Sequence, residues 1–320
     1  MTQRARQIIF SVAILVFVVA TPLLLLYAWG YSFDWQTKRI ALTGGLYLKS
    51  TPDDAKIYLN NKPRGETNTL VRRLAPKEYQ VKITKDGFHP WSKKLKVESK
   101  IVTSARDIIL IPLEPKVEII NEMLPEDFSL QDFISPDKSN SVFYIQTPSY
   151  ILYKTDQNNS FQEQISLNPL PNDKRYKIFA SNNEKIALLD DQGQLYLFNQ
   201  DSRNFDPISQ DVKGVEFTND NNKLLYFTAS EIWVYSLTNA DKELITRFSQ
   251  EINQAIWYQK TNQHILCLVG GSVKIIELDD RNERNTVDIL KLEIDQIAYN
   301  PENEGLYFIR ESKLSSISLE

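Results

Sequence analysis

The chain has 320 residues, 42% of them apolar and 24% charged, the balance of folded rather than disordered protein and enough length for two domains. One cysteine excludes an internal disulfide and a cysteine-based zinc finger, and two histidines, His89 and His264, leave little for a multi-histidine metal site. The net charge of −4 combines opposites: residues 1–31 carry two arginines and no acid, residues 32–116 carry 17 Lys/Arg against 9 Asp/Glu, and residues 117–320 carry 18 against 32. Segments of such different sign point to two modules with different neighbours.

Ile8 to Tyr31 runs 24 positions without a charge. As a helix that stretch is about 36 Å long, enough to cross a hydrocarbon core. It is longer than the apolar core of a signal peptide, and Leu23 to Trp29 shows no small-x-small cleavage site. Pro22 is tolerated in a membrane helix, and Tyr27, Trp29, Tyr31 and Trp35 resemble an interfacial aromatic belt. An uncleaved anchor over residues 8–31 is therefore expected, after a short cytoplasmic tail (1–7) and before a juxtamembrane linker (32–43). Arg4 and Arg6 precede the span, whereas Lys38 and Arg39 follow it and are offset by Asp34. A short amino tail with two arginines predicts the amino terminus inside and the bulk of the chain extracytoplasmic, with a reversed topology as the alternative. So short a tail argues against autonomous signalling.

From residue 44 to 115 the residues alternate as strands do. The runs are Leu46–Lys49, Ala55–Leu59, Tyr79–Ile83, Lys94–Val97 and Ile108–Ile111, with turns at Asn60-Asn61-Lys62 and Lys85-Asp86-Gly87. They predict a small β-sandwich. Ser50-Thr51-Pro52-Asp53-Asp54-Ala55-Lys56-Ile57-Tyr58-Leu59-Asn60, then Gly65-Glu66-Thr67, Leu74-Ala75-Pro76-Lys77-Glu78-Tyr79-Gln80-Val81 and Lys85-Asp86-Gly87-Phe88-His89-Pro90-Trp91, taken in order, resemble a PEGA domain. The departures are Asp53-Asp54 for Glu-Gly, Asn61 for a turn glycine, and Lys77-Glu78 where a glycine is usual. The resemblance implies a non-catalytic surface module, often beside a membrane anchor, and supplies no ligand.

Phe88, His89 and Trp91 are a candidate binding patch, with core packing as the plainer reading for Phe88 and Trp91. Lys93, Lys94 and Lys96 follow in a strand whose alternation turns lysines to one face. A basic module near a bilayer attracts anionic lipid or an acidic wall polymer. Nucleic acid is not an expected partner.

The acidic remainder, residues 116–320, repeats. Apolar residues that lead an Asp/Asn/Pro turn and a second apolar strand stand at Ile134, Phe179, Phe217, Trp257 and Tyr299. A period near 40 residues is that of four-stranded propeller blades. The pattern resembles WD40-like repeats without their Gly-His and Trp-Asp marks. The fifth unit holds only three strands, and Val117–Ile120 is available to complete it, so a five-bladed propeller is expected, with an open or irregular β array as the alternative. The fold class expected is mainly β: a transmembrane helix, a PEGA-like sandwich and a propeller.

No phosphate loop, nucleophile elbow or His-Glu-x-x-His pattern is present. Asp190-Asp191 reads as a hairpin turn, Cys267 as a core residue and His264 as a turn residue. No catalytic, cofactor or metal residue is assigned. The expected function is a membrane-anchored extracytoplasmic scaffold of the cell envelope, its propeller binding another envelope protein. The alternatives are an envelope carbohydrate-active enzyme, which needs two facing propeller carboxylates as in a glycoside hydrolase, and an extracytoplasmic ligand sensor.

Overall fold

The computed structural model describes residues 3–34, 39–125, 128–134, 141–171, 173–181 and 185–319. Trp35 and Lys38, and the first two repeat turns at residues 135–138 and 182–183, lie outside them. The described chain forms two units, residues 1–111 with 280–283, and residues 112–279 with 284–319.

The first unit begins with helix α1 (Gln3–Ala28), of mean hydropathy 2.9 over its most apolar stretch and with no buried residue. Its 26 residues span about 39 Å, long and apolar enough to cross a membrane. The helix starts earlier than the uncharged run and stops three residues short of Tyr31. Gly30 adopts φ +85°, a left-handed value open to glycine, and turns the chain. Strand β1 (Tyr31–Asp34) then pairs antiparallel with β2 (Arg39–Leu42), so the expected linker is largely a hairpin. The Thr43 amide and hydroxyl both donate to the Gly30 carbonyl at 2.9 and 2.8 Å and close its base.

Seven strands follow: β3 (Gly44–Thr51), β4 (Lys56–Leu59), β5 (Lys62–Glu66), β6 (Thr69–Leu74), β7 (Glu78–Thr84), β8 (Trp91–Lys96) and β9 (Val102–Ile109). They make two sheets, ordered β6-β3-β9 and β5-β4-β7-β8, as a β-sandwich requires. The strands alternate because one face of each sheet is buried: Leu46 and Leu48, Ile57 and Leu59, and Val81 and Ile83 point into one shared core. Asn60 and Asn61 take φ of +50° and +64° between Leu59 and Lys62, a two-residue hairpin turn that asparagine tolerates. Lys77 and Glu78, in place of the family's glycine, do not need positive φ. Gly44 does need to be glycine, since a Cβ there would meet the Glu98 carbonyl at 2.1 Å. A buried polar link joins β3 to the chain after β5: Ser50 Oγ lies 2.8 Å from Thr67 Oγ1, which accepts the Ala55 amide at 3.0 Å.

The second unit contains five sheets among the described residues. The first comprises β11 (Ser141–Gln146), β12 (Ile151–Asp156) and β13 (Glu163–Gln164). The second is β14 (Tyr176–Ala180), β15 (Ile186–Asp190), β16 (Leu195–Asn199) and β17 (Asn204–Ser209), in sequence order. The third is β18 (Gly214–Phe217), β19 (Lys223–Phe227), β20 (Glu231–Ser236) and β21 (Lys242–Arg247). The fourth is β22 (Ile252–Trp257), β23 (His264–Val269), β24 (Ser272–Glu277) and β25 (Thr286–Leu290). The last joins β26 (Gln296–Asn300), β27 (Gly305–Arg310) and β28 (Lys313–Ser318) to β10 (Val117–Asn121), which pairs antiparallel with β28. This is the completing strand expected from the sequence.

The sheets stack face to face as propeller blades do. Ile186 and Leu188 pack with Leu152 of the first sheet, while Ala187 and Leu189 pack with Leu224 and Tyr226 of the third. Leu225 and Phe227 in turn meet Ile265 and Cys267 of the fourth. A second strand buried on both faces is why β15, β19 and β23 read as continuous apolar runs rather than alternating ones. First strands lie next to one another, β18 by β22 and β22 by β26, so they form the inner layer.

One repeat departs from expectation. The segment ending at Ile134 is not a strand but a helical turn, α2 (Leu130–Ile134), packed against β26. The Ser129 hydroxyl accepts the Asp132 amide at 3.2 Å, an N-cap that starts a helix here. Leu130 is buried with Ala298 and Leu314, and the Phe133 ring lies 5.9 Å from that of Tyr307.

Candidate surface-binding site

Strand β8 separates the residues that the sequence grouped. Its alternation sends Trp91, Lys93 and Leu95 into the sandwich and Ser92, Lys94 and Lys96 outward. Trp91 is 5% exposed and Lys93 fully buried, so neither presents a surface. The Lys93 ammonium lies 5.9 Å from the Trp91 ring centroid. Phe88 packs against the same core, and half-buried His89 donates its backbone N–H to the Ile111 carbonyl at 2.8 Å. The aromatic patch is therefore core and its support. Only Lys94 and Lys96 of the six stay at the surface, Lys96 paired with Glu98 at 3.0 Å.

The register adds cations the sequence reading did not group. Lys94 stands opposite Gln80 and Lys82 opposite Ser92, and Lys56 is exposed on the neighbouring strand. With Lys94 and Lys96 they make a basic outer face on the four-stranded sheet, beside the exposed Lys62 and Arg64 of β5. The three-stranded sheet carries a groove of about 490 Å³ lined by Tyr47, Lys49, Leu70, Val102, Arg106 and Asp107. The Arg106 guanidinium lies 5.5 Å from the Tyr47 ring centroid. The groove thus sets an aromatic ring and the Lys49 and Arg106 cations beside the Asp107 carboxylate. It was missed because the parallel pairing of β3 with β9 joins residues more than fifty positions apart, which local alternation does not show. At the carboxyl end of α1, the Arg73 guanidinium stacks 3.6 Å from the Tyr27 ring centroid.

Residues 43–108 match the PEGA domain family. The match covers the seven-stranded sandwich, so the PEGA domain is the basic module, and the order of motifs read in the sequence corresponds to its strands. No curated protein matches the chain. Among solved structures, the chain is similar to an auxiliary nutrient binding protein from Bacteroides thetaiotaomicron, at 10% identity and TM-score 0.35, covering 82% of this chain and 78% of that one. It is also similar to Kluyveromyces lactis Hsv2, at 11% identity and TM-score 0.39, covering 83% and 70%. The β-propeller domain of Cps50 (Swd1) from "Myceliophteria thermophila" matches at 8% identity and TM-score 0.37, covering 42% of this chain; the match spans only 48% of that domain. Likenesses this distant carry no functional argument, and the propeller-like description rests on the repeated sheets themselves.

In the propeller-like unit the flagged acids and thiol are held by structure. Asp190 accepts the Gln194 and Gln192 amides at 2.8 and 3.0 Å and pairs with Lys174 at 2.6 Å. Burial raises its carboxyl, but Lys174 and the two amides outweigh this and hold it below the usual range. Burial pushes the Cys267 thiol up to about 12, far from a reactive thiolate. His264 is 5% exposed, with Nδ1 3.1 Å from Thr261 Oγ1. Among the described residues no group of three or more His, Cys, Asp and Glu side chains gathers to hold a metal.

No sequence pattern marked Glu216, on the inner strand β18. Its carboxylate accepts the Trp257 amide at 2.6 Å and the Gln259 side-chain amide at 3.0 Å, while the Trp257 indole donates to the Glu216 carbonyl at 3.0 Å. Burial pushes this carboxyl up to about 7, against the two hydrogen bonds. Gln254 makes the corresponding link onward, bonding both backbone groups of Ile297 at 2.7 and 2.9 Å. These contacts fasten the third sheet to the fourth and the fourth to the fifth.

Proposed function

We propose that this chain is a membrane-anchored binding and scaffold protein of the cell envelope, its bulk outside the cytoplasm. In this reading the PEGA domain contacts the surface and the propeller-like unit binds another envelope protein. The observation that carries it is the PEGA domain's basic exterior at the end of an apolar helix, with Arg73 stacked on Tyr27. Interfacial tyrosine and juxtamembrane cations are what an anionic surface attracts, at about 1 kcal/mol per cation close to the membrane. The acidic second unit is repelled by such a surface and is free to engage a partner. No catalytic role is proposed for Asp190 or Cys267, whose settings are structural.

The test is crosslinking of the anchored protein in its native envelope, beside a form lacking residues 117–320. A defined protein partner lost with those residues supports the scaffold. Retention of the shortened form on lipid or wall polymer, weakened by Lys82→Glu and Lys94→Glu, assigns the surface contact to the PEGA domain. Absence of any partner, with wall glycan cleaved by the purified ectodomain, overturns the reading in favour of a carbohydrate-active enzyme.

A further inference from the structure

Each four-stranded sheet of the second unit ends in an outer strand, and each outer strand holds one extra residue relative to its neighbour. The extra residue is Ile208 in β17, Ile245 in β21, Ile289 in β25 and Ile120 in β10. The repetition identifies β10 as the outer strand of the last blade. It also exposes a difference. Ile245 and Ile289 are each 5% exposed, and Ile208 packs against the core between the second and third sheets. Ile120 is 47% exposed, with Val117 at 45% and Ile119 at 57%.

The other outer strands are blunted as natural edges usually are. β17 exposes Asp206 and Pro207, β21 exposes Lys242, Glu243 and Arg247, and β13 is two residues long. Neither β17, β21 nor β25 exposes a large apolar side chain. Among the described residues β10 alone presents three β-branched apolar residues along a terminal strand, and no strand lies on its outer side. The exposed charges on and beside it are mostly acidic: Glu118 within the strand and Glu114 and Glu122 flanking it, against Lys116.

We propose that β10 is a docking edge for an extended segment of a protein partner in which Lys or Arg alternates with apolar residues, added as a fifth strand to the last sheet. Backbone groups on the free side of β10 supply the ladder, Val117 and Ile119 supply apolar contact, and Glu118 with its flanking carboxylates selects basic residues. A second copy of this chain is disfavoured as occupant, because a unit with 32 acids against 18 bases over residues 117–320 repels its own kind. The proposal names the surface for the partner-binding role above and rests on that reading, yet it is tested separately. Crosslinking reports any partner on any face, whereas strand addition is read only at β10.

The experiment uses the full chain in detergent micelles at physiological salt and a labelled seven-residue peptide of alternating lysine and valine. Controls are the same peptide N-methylated on alternate amides and a glutamate–valine peptide. The expected result is at least tenfold weaker binding of both controls, with hydrogen-exchange protection by the lysine–valine peptide confined to residues 117–121. Ile119→Asn, at an exposed position, loses binding at least tenfold while exchange in β27 and β28 stays that of the unaltered chain. Equal binding of the methylated or acidic peptide overturns the proposal, as do protection outside β10, no binding at all, or a dimer formed without peptide.

Discussion

Glu216→Gln tests the link between the third and fourth sheets. With an ordinary value of 4.5 and a folded value of about 7, Glu216 keeps its proton in the fold over a range where the unfolded chain has lost it. The folded state then binds more protons, so stability falls as pH rises above 4.5 and levels off above 7. Between pH 5 and pH 8 the loss is about 2.5 kcal/mol. Glutamine keeps an oxygen to accept the Trp257 amide and a neutral group beside Gln259, whose amide can turn to accept. The variant should match the unaltered chain at pH 5 and exceed it by roughly 2–3 kcal/mol at pH 8. Hydrogen exchange of residues 252–257, compared between the two proteins at each pH, reads this as roughly 50-fold greater protection in the variant at pH 8. Parallel behaviour of the two from pH 5 to pH 8, or a variant weaker at pH 8, would refute the burial argument.

Three further outcomes follow from buried groups. Trp91→Ala should remove about 3–5 kcal/mol and unfold the PEGA domain, seen as loss of exchange protection in β4, β7 and β8; a folded, vesicle-binding variant would return Trp91 to the surface reading. The Asp190 carboxyl, held below its ordinary 3.8, contributes stability that is present above 3.8 and lost as acid protonates it. Asp190→Asn should therefore be less stable than the unaltered chain at pH 7 and converge with it in acid unfolding curves. Cys267, fully buried with its thiol near 12, should react with a disulfide reagent at pH 8 only at the rate the fourth sheet opens, and a fast reaction in the native protein would contradict its place in the core.

Much of the fold was legible because it is periodic. The uncharged run gave α1, since length and apolarity are read directly from the residues. The alternation gave the sandwich strands, and the 40-residue spacing gave the repeated sheets, including the return of Val117–Ile120 to the last one. Local capping misled where the repeat was weakest: Ser129 starts a helical turn at Leu130–Ile134 in place of a strand.

The site was less legible. A strand's two faces are set by which side meets the core, and β8 spent Trp91 and Lys93 on that core. Lysine looks like a surface residue in any sequence, so only packing could show Lys93 inside. The Tyr47–Arg106 groove depended on β3 and β9 lying parallel in one sheet, and the exposure of Ile120 depended on what stands beside the last blade. By itself the sequence determined the apolar amino-terminal helix, the sandwich strands and the repeating sheets, because hydrophobic period and turn chemistry act over a few residues. Which side chains share a surface, and which edge is left open, was decided by tertiary structure, because those depend on non-local pairing and on the neighbours that each face finds.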